Sequence, residues 1–205
     1  MRRIELRSRL IVFEGLDFTG KTTQVRLLAE RLQRANLQVT TTREPGGTHL
    51  GEKVRKEILS TENTELLPLS ELLLFITCRA QLSAEVIEPS LAAGDVVLCS
   101  RFRLSSLAYQ GYGRRIDLDL IERLNEAAAV GRQPDLTFLI DLDPKTALMR
   151  KRGDGDRIEQ EDLAFYRRVR EGYIELTRDD PHVHRINGAL SVEEIAEKVV
   201  RVLDG

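Results

Sequence analysis

Apolar positions along this chain follow two periods in turn. Compact apolar runs, Leu10-Ile11-Val12-Phe13, Val96-Val97-Leu98-Cys99 and Leu136-Thr137-Phe138-Leu139-Ile140-Asp141-Leu142-Asp143, read as buried strands, the last closed by Pro144. Val39-Thr40-Thr41-Thr42 is β-branched and predicts another strand. His182-Val183-His184-Arg185-Ile186 predicts a short final strand ending at the turn Asn187-Gly188. Between the runs the spacing turns helical: Val25, Leu28, Ala29 and Leu32 fall at i, i+3, i+4, i+7, and Val54, Ile58 and Leu59 share one side of a shorter helix. A long helix is predicted from Ser70 to Glu88, with Leu72, Phe75, Ile76, Arg79, Leu82 and Val86 on one stripe, and Pro89 and Gly94-Asp95 are expected to break the chain after it. Further helices are predicted over Leu118–Ala129, from Pro144, and over Glu161–Thr177, where Leu163, Tyr166, Val169, Arg170, Tyr173 and Ile174 carry the pattern. Ser191-Val192-Glu193-Glu194 opens the last helix with a capping box. Strands alternating with helices give an α/β fold with a parallel sheet. No repeat or linker divides the chain, so one domain over 1–205 is expected.

Composition narrows the partners. The formal charge is −2, so nothing suggests bulk nucleic-acid binding. Cys78 and Cys99 lack metal spacing and lie in apolar runs, which fits buried thiols in a reducing compartment. No apolar run approaches a membrane span, and Met1-Arg2-Arg3-Ile4-Glu5-Leu6-Arg7 lacks the apolar core of a signal peptide. Residues 1–8 are therefore read as a short extension, and the protein as cytoplasmic with no membrane partner.

The chemistry concentrates at four places. Gly15-Leu16-Asp17-Phe18-Thr19-Gly20-Lys21-Thr22 fits G-x-x-x-x-G-K-[ST], set between a strand and a helix. Such a loop turns its N–H groups onto a polyphosphate at a helix N-terminus. Lys21 would reach the β- and γ-phosphates and the Thr22 hydroxyl would sit on Mg²⁺. Phe18 is bulky for such a loop, so its ring must point away from the phosphates or cover them. On the long helix, Arg79 interrupts an apolar stripe one turn after Phe75. Its head either snorkels to solvent or pairs with a structural carboxylate, or it lines a pocket in which Phe75 is a stacking platform. Ser100-Arg101-Phe102 sits at the C-terminal end of a strand, the edge where parallel sheets bind ligands, and leads into Ser105–Gly113, polar and aromatic. The tyrosines there read equally well as surface packing. Arg150-Lys151-Arg152-Gly153-Asp154-Gly155-Asp156-Arg157 is either a solvated charge run or a flexible lid closing on transferring phosphate. His182 and His184 alternate along a strand and face opposite sides, which argues against a shared metal site.

A GTPase would need an Asn-Lys-x-Asp segment, which is missing, and Asp141-Leu142-Asp143 is a poor match to the acidic strand end of an ATPase motor. A small kinase remains, holding two anionic substrates in line. Phe13-Glu14-Gly15-Leu16-Asp17, Gly20-Lys21-Thr22-Thr23-Gln24, Thr42-Arg43-Glu44-Pro45-Gly46-Gly47-Thr48, Leu74-Phe75 with Arg79-Ala80-Gln81, Ser100-Arg101-Phe102 and Ser105-Ser106-Leu107-Ala108-Tyr109-Gln110-Gly111 together resemble bacterial thymidylate kinases, from about Leu10 to Leu203. The resemblance implies a P-loop NTPase-type three-layer fold with a short basic lid at about 149–160, a homodimer, and the conversion of dTMP and ATP to dTDP and ADP with Mg²⁺. It implies ATP contacts from Gly15, Leu16, Asp17, Phe18, Thr19, Gly20, Lys21, Thr22 and Thr23, with adenine near Arg185 to Leu190. Phe75 would stack on thymine and Arg79 donate to a thymine carbonyl, with Ser106 and Gln110 completing the base contacts. Tyr109 would pack near the deoxyribose, where it disfavours a 2′-OH. Arg101 and Arg55 would hold the dTMP phosphate in a pocket shaped by Glu44 and Pro45, with Asp17 near the sugar 3′-OH. Of the lid arginines Arg150, Arg152 and Arg157, the last is favoured for the transferring phosphoryl group, because Asp156-Arg157-Ile158-Glu159 matches the family best. The catalytic set implied is Lys21, Arg101, Arg157 and Asp17.

Two positions depart from that pattern. Ser100 stands where the family carries an aspartate, and Phe18 where relatives carry glycine or arginine. An altered Mg²⁺ dependence is expected, with Thr22 and Asp17 carrying more of the metal site. An active dTMP kinase, a kinase for another pyrimidine nucleotide, and a nucleotide-binding module that has lost turnover are the three readings at this point.

Overall fold

The computed structural model describes residues 9–204; the proposed extension at 1–8 lies outside them. Five parallel strands form one sheet in the order β2-β3-β1-β4-β5: β1 Leu10–Glu14, β2 Val39–Arg43, β3 Val96–Ser100, β4 Leu136–Asp141 and β5 Val183–Asn187. β1 and β3 are buried along their whole length, as expected of strands covered on both faces. Ile11 and Phe13 pack with Val25, Leu28 and Leu32 of α1 (Lys21–Arg34) and Ile195, Val199 and Leu203 of α9 (Val192–Asp204). Leu10 and Val12 point the other way, onto Leu82, Ile87 and Leu91. That alternation makes β1 the middle of three layers. The chain leaves β1 toward β2 and β3, then crosses back to β4 on the other side of β1. This reversal places the loops after β1 and β3 together at the carboxyl edge of the sheet.

Helices α2 (His49–Leu59), α3 (Pro68–Leu82), α6 (Leu118–Ala128), α7 (Pro144–Met149) and α8 (Leu163–Leu176) complete the cover, with the short α4 (Glu88–Ala92) and α5 (Arg103–Ser106). The capping box forms as read: Ser191 N donates to Glu194 Oε2 at 2.8 Å and Glu194 N to Ser191 Oγ at 3.2 Å.

Three expectations about elements need correction. Pro89 does not break the long helix. A π-turn over Ser83–Ile87 follows α3, and Pro89 falls in the first turn of α4, where its missing N–H has no intrahelical duty. The helical path ends at Gly94, whose φ of 89° only glycine adopts freely. β4 stops at Asp141 because Asp143 caps α7, accepting from Thr146 N at 3.0 Å. Residues 103–113 are buried helix, α5 running into a π-turn at Leu107–Gly113, so Tyr109 is core rather than surface packing.

Candidate active site

The loops at the carboxyl edge enclose a cleft of about 410 Å³. Asp17, Phe18, Gly20, Lys21, Thr22 and Thr23 line one wall from the P-loop and the start of α1. Gly20 has φ 91° and opens α1, so the first backbone N–H groups of that helix face the cleft. Lys21 Nζ donates to Leu16 O at 2.6 Å, which folds the side chain back over its own loop. Burial, reinforced by nearby Arg101, pushes the Lys21 ammonium down to about 7. Gly15, Leu16 and Thr19 support the loop from below: Leu16 and Thr19 are buried, and Thr19 Oγ1 donates to Leu16 O at 2.9 Å. Phe18 takes the left-handed conformation, φ 65°, and its half-buried residue lines the cleft.

β3 delivers Ser100 and Arg101 opposite the P-loop, since Phe13 and Ser100 are register partners. Arg101, φ 71°, sends its guanidinium across the cleft floor. It donates to Asp17 Oδ1 at 2.6 Å, Tyr109 Oη at 3.0 Å, Gly15 O at 2.9 Å, Ser105 Oγ at 3.1 Å and Tyr173 Oη at 3.2 Å. Asp17 also accepts from Tyr109 Oη at 2.8 Å and Tyr166 Oη at 3.2 Å. Burial raises the Asp17 carboxyl, but Arg101 and Lys21 outweigh it and hold the group below its usual range. Beneath lies Glu14, fully buried, which accepts from the backbone of Phe102 at 2.8 Å and from Ser105 Oγ at 2.6 Å and Tyr173 Oη at 3.0 Å. Glu14, Tyr166 and Tyr173 thus join a site in which sequence reasoning gave them no role. The signal available was an acid at the end of a wholly apolar strand.

The far wall comes from Arg43, Glu44, Pro45, Arg55, Leu59, Phe75, Ser106, Tyr109 and Gln110. Arg55 is held at the rim by Pro45 O, 2.8 Å from its Nη1. Arg79 is placed otherwise than the resemblance implied. It lies outside the cleft lining and is 1% exposed. Its five donors go to Glu44 Oε1 and Oε2, Ser106 Oγ, Asn125 Oδ1 and Phe102 O. A guanidinium has five N–H groups, so none is left for a thymine carbonyl. The structural-carboxylate alternative is the one realised, and Arg79 reaches the cleft wall through Glu44 and Ser106.

The lid also differs from expectation. The segment at about 149–160 is pinned rather than loose: Arg157 N and Nε donate to Leu59 O and Ile58 O at 3.1 and 3.0 Å, and Arg157 Nη2 to Glu71 Oε2 at 2.6 Å. Arg157 is therefore turned away from the cleft, and Arg150 lines it instead, with Nη2 on Gly188 O at 3.1 Å. Arg152 is exposed and makes no hydrogen bond among the described residues. Asp156 and Glu159 add two carboxylates to the lining, both raised by burial. The Arg185–Leu190 segment, expected to seat adenine, does not line this cleft; Arg185 pairs with Asp141. Asp141 also pairs with Arg170 at 2.7 Å.

Cys78 and Cys99 are both buried and unpaired in disulfides, and burial pushes the Cys78 thiol up to about 11. No helix among the described residues is long and apolar enough to cross a membrane.

The family model described as thymidylate kinase matches residues 13–199. A thymidylate kinase of Pelotomaculum thermopropionicum is 47% identical over 193 residues, 93% of this chain and 89% of the relative. One from Nostoc sp. is 44% identical over 200 residues, 95% of each chain. The crystal structure of thymidylate kinase from Ehrlichia chaffeensis superposes with TM-score 0.81 at 39% identity, covering 97% of this chain and 99% of that one.

Proposed function

The chain belongs to the thymidylate kinase family, and from that premise we propose that its cleft moves the γ-phosphoryl group of ATP to dTMP, giving dTDP and ADP, through the residue roles that follow. One observation carries the reading: a single cleft has a phosphate-cradling wall at Gly20–Thr23 and a second wall with Arg55, Phe75, Ser106 and Gln110, and Arg101 lies between them. The P-loop holds the ATP phosphates, and Lys21 exchanges its bond to Leu16 O for a phosphate oxygen. Phe75 stacks on the pyrimidine, while Ser106 and Gln110 meet its polar edge. Tyr109 and Asp17 flank the sugar, and their mutual hydrogen bond fixes both. Arg55 and Arg101, whose Nε carries no hydrogen bond among the described residues, hold the dTMP phosphate, so the acceptor oxygen lies in line with the transferred group. Arg157 anchors the lid, and Arg150, held by one bond to Gly188 O, and Arg152 are the arginines that meet phosphate. Mg²⁺ suits the hard oxygen donors present: the Thr22 hydroxyl would hold it, and when bound it neutralises charge on the phosphate oxygens. Asp17 is already engaged by Arg101 and two tyrosines, so the metal leans on Thr22.

The whole chain acts as one domain with its lid at about 149–160. Leu67, Leu69 and Leu73, at the start of α3, are exposed and support a homodimer through that face. The two buried thiols support a reducing, cytoplasmic setting, and the net charge of −2 gives no support for a nucleic-acid partner.

The roles are tested by Arg101→Met and Asp17→Asn, assayed for ADP release. Each should lower kcat by about 10²- to 10³-fold while the KM for ATP moves little. Wild-type kcat in either variant would contradict the assignment.

A further inference from the structure

Glu71, in the first turn of α3, is one helical turn before Phe75 and almost wholly buried. Its carboxylate is saturated from three sides. Oε1 accepts from Gln110 Nε2 at 2.9 Å and Arg114 Nε at 3.2 Å; Oε2 accepts from Arg157 Nη2 at 2.6 Å and Arg114 Nη2 at 3.0 Å. Burial raises the carboxyl, but the bonds from Arg114, Gln110 and Arg157 outweigh it and hold Glu71 below its usual range, hence ionised. An ionised carboxylate only accepts, so the Gln110 amide must turn its NH₂ toward Glu71. Gln110 is 1% exposed and sits in the π-turn. Its Oε1 receives no donor from the described residues, yet it is not among the buried atoms without a partner. It therefore opens onto the cleft that Gln110 lines.

We infer that Glu71 is a specificity-determining positioning residue: by fixing the Gln110 amide with its carbonyl toward the cleft, it selects pyrimidines that present an N3–H donor. The inference rests on the proposed base pocket. Thymine and uracil carry a proton on N3 and complement the carbonyl. Cytosine carries a lone pair on N3 and would set acceptor against acceptor. Flipping the amide to suit cytosine would aim Oε1 at the Glu71 carboxylate, which has no proton to give.

The test compares kcat/KM for dTMP and dCMP in wild type, Gln110→Met, Glu71→Gln and the double variant. Gln110→Met should narrow the dTMP:dCMP ratio by about 10- to 100-fold, because the site then loses the hydrogen bond that discriminates. Glu71→Gln should narrow it too, with dCMP gaining relative to dTMP, since a glutamine can donate to the flipped amide. In the Gln110→Met background, Glu71→Gln should leave the ratio where it is. An unchanged ratio in Gln110→Met overturns the base-pocket reading itself. A narrowed ratio there, with no change in Glu71→Gln or with further narrowing in the double variant, overturns the role of Glu71 alone. Should Glu71→Gln not fold, side-chain NMR of wild-type Gln110 decides. On adding dTMP the carbonyl carbon should shift and the NH₂ pair stay fixed; the reverse pattern overturns the inference.

Discussion

Replacing Arg79 by methionine removes a cation that the structure uses as a hub. The side chains of Arg79 and Glu44 are 1% and 2% exposed, and the variant leaves a buried carboxylate, Asn125 Oδ1, Ser106 Oγ and Phe102 O without their donor. Breaking a buried pair from one side costs about 3–5 kcal/mol. For a chain of this size each kcal/mol moves Tm by about 2–4 °C, so a fall of roughly 6–20 °C is expected. The cost should also depend on pH. Burial has already pushed the Glu44 carboxyl up to about 7 with Arg79 opposing. Without Arg79 it rises further. An acid whose folded pKa exceeds its unfolded value binds extra proton when folded, so its stability falls as pH rises toward the folded pKa. The deficit of Arg79→Met against wild type should thus grow between pH 6 and pH 8. Urea unfolding at the two pH values reads both quantities. A loss below about 1 kcal/mol, or an equal loss at both pH values, would refute the reasoning that Arg79 is a saturated structural cation.

Other expectations follow from single sites. Lys21 titrates near 7 in the free cleft, so binding ATP at pH 8 should take up a proton in wild type and not in Lys21→Met, the difference fading by pH 6. Calorimetry in buffers of different ionisation enthalpy measures it, and equal uptake by both proteins would place the titrating group elsewhere. Val130 holds φ 51° while 74% exposed, a conformation costly for a β-branched residue. Val130→Asn should raise stability by about 1 kcal/mol; an unmoved urea midpoint would count against the strain. Ser100 lines the cleft without a carboxylate, so Ser100→Asp should lower the Mg²⁺ concentration giving half-maximal rate. Superimposable Mg²⁺ titrations would remove Ser100 from the metal's surroundings.

The parallel sheet was legible because β1 and β3 are apolar up to their last residues, Glu14 and Ser100, and the α1 stripe of Val25, Leu28 and Leu32 is periodic. Where a local signal misled, a tertiary partner had overridden it. Pro89 reads as a breaker until a π-turn places it in the first turn of a new segment. Arg79 reads as a pocket donor until Glu44 and Asn125, 35 and 46 positions away in sequence, take its hydrogens. Arg157 reads as a catalytic lid residue until Glu71 claims its guanidinium. Motif spacing names the residues around a cleft, while the direction each long side chain takes depends on carboxylates that no local pattern reveals. Glu71 could have been noticed as an acid one turn before Phe75, on a face whose other charge is Arg79, but its three donors come from other parts of the chain.

The central claim is tested most directly by coupled ADP release with ATP and Mg²⁺, offering dTMP, dUMP, UMP and dCMP as acceptors. The account predicts turnover highest with dTMP and lowest where N3 lacks a proton or the sugar carries a 2′-OH. No turnover with any acceptor, alongside tight dTMP binding by calorimetry, would contradict it and leave a nucleotide-binding module in a kinase fold.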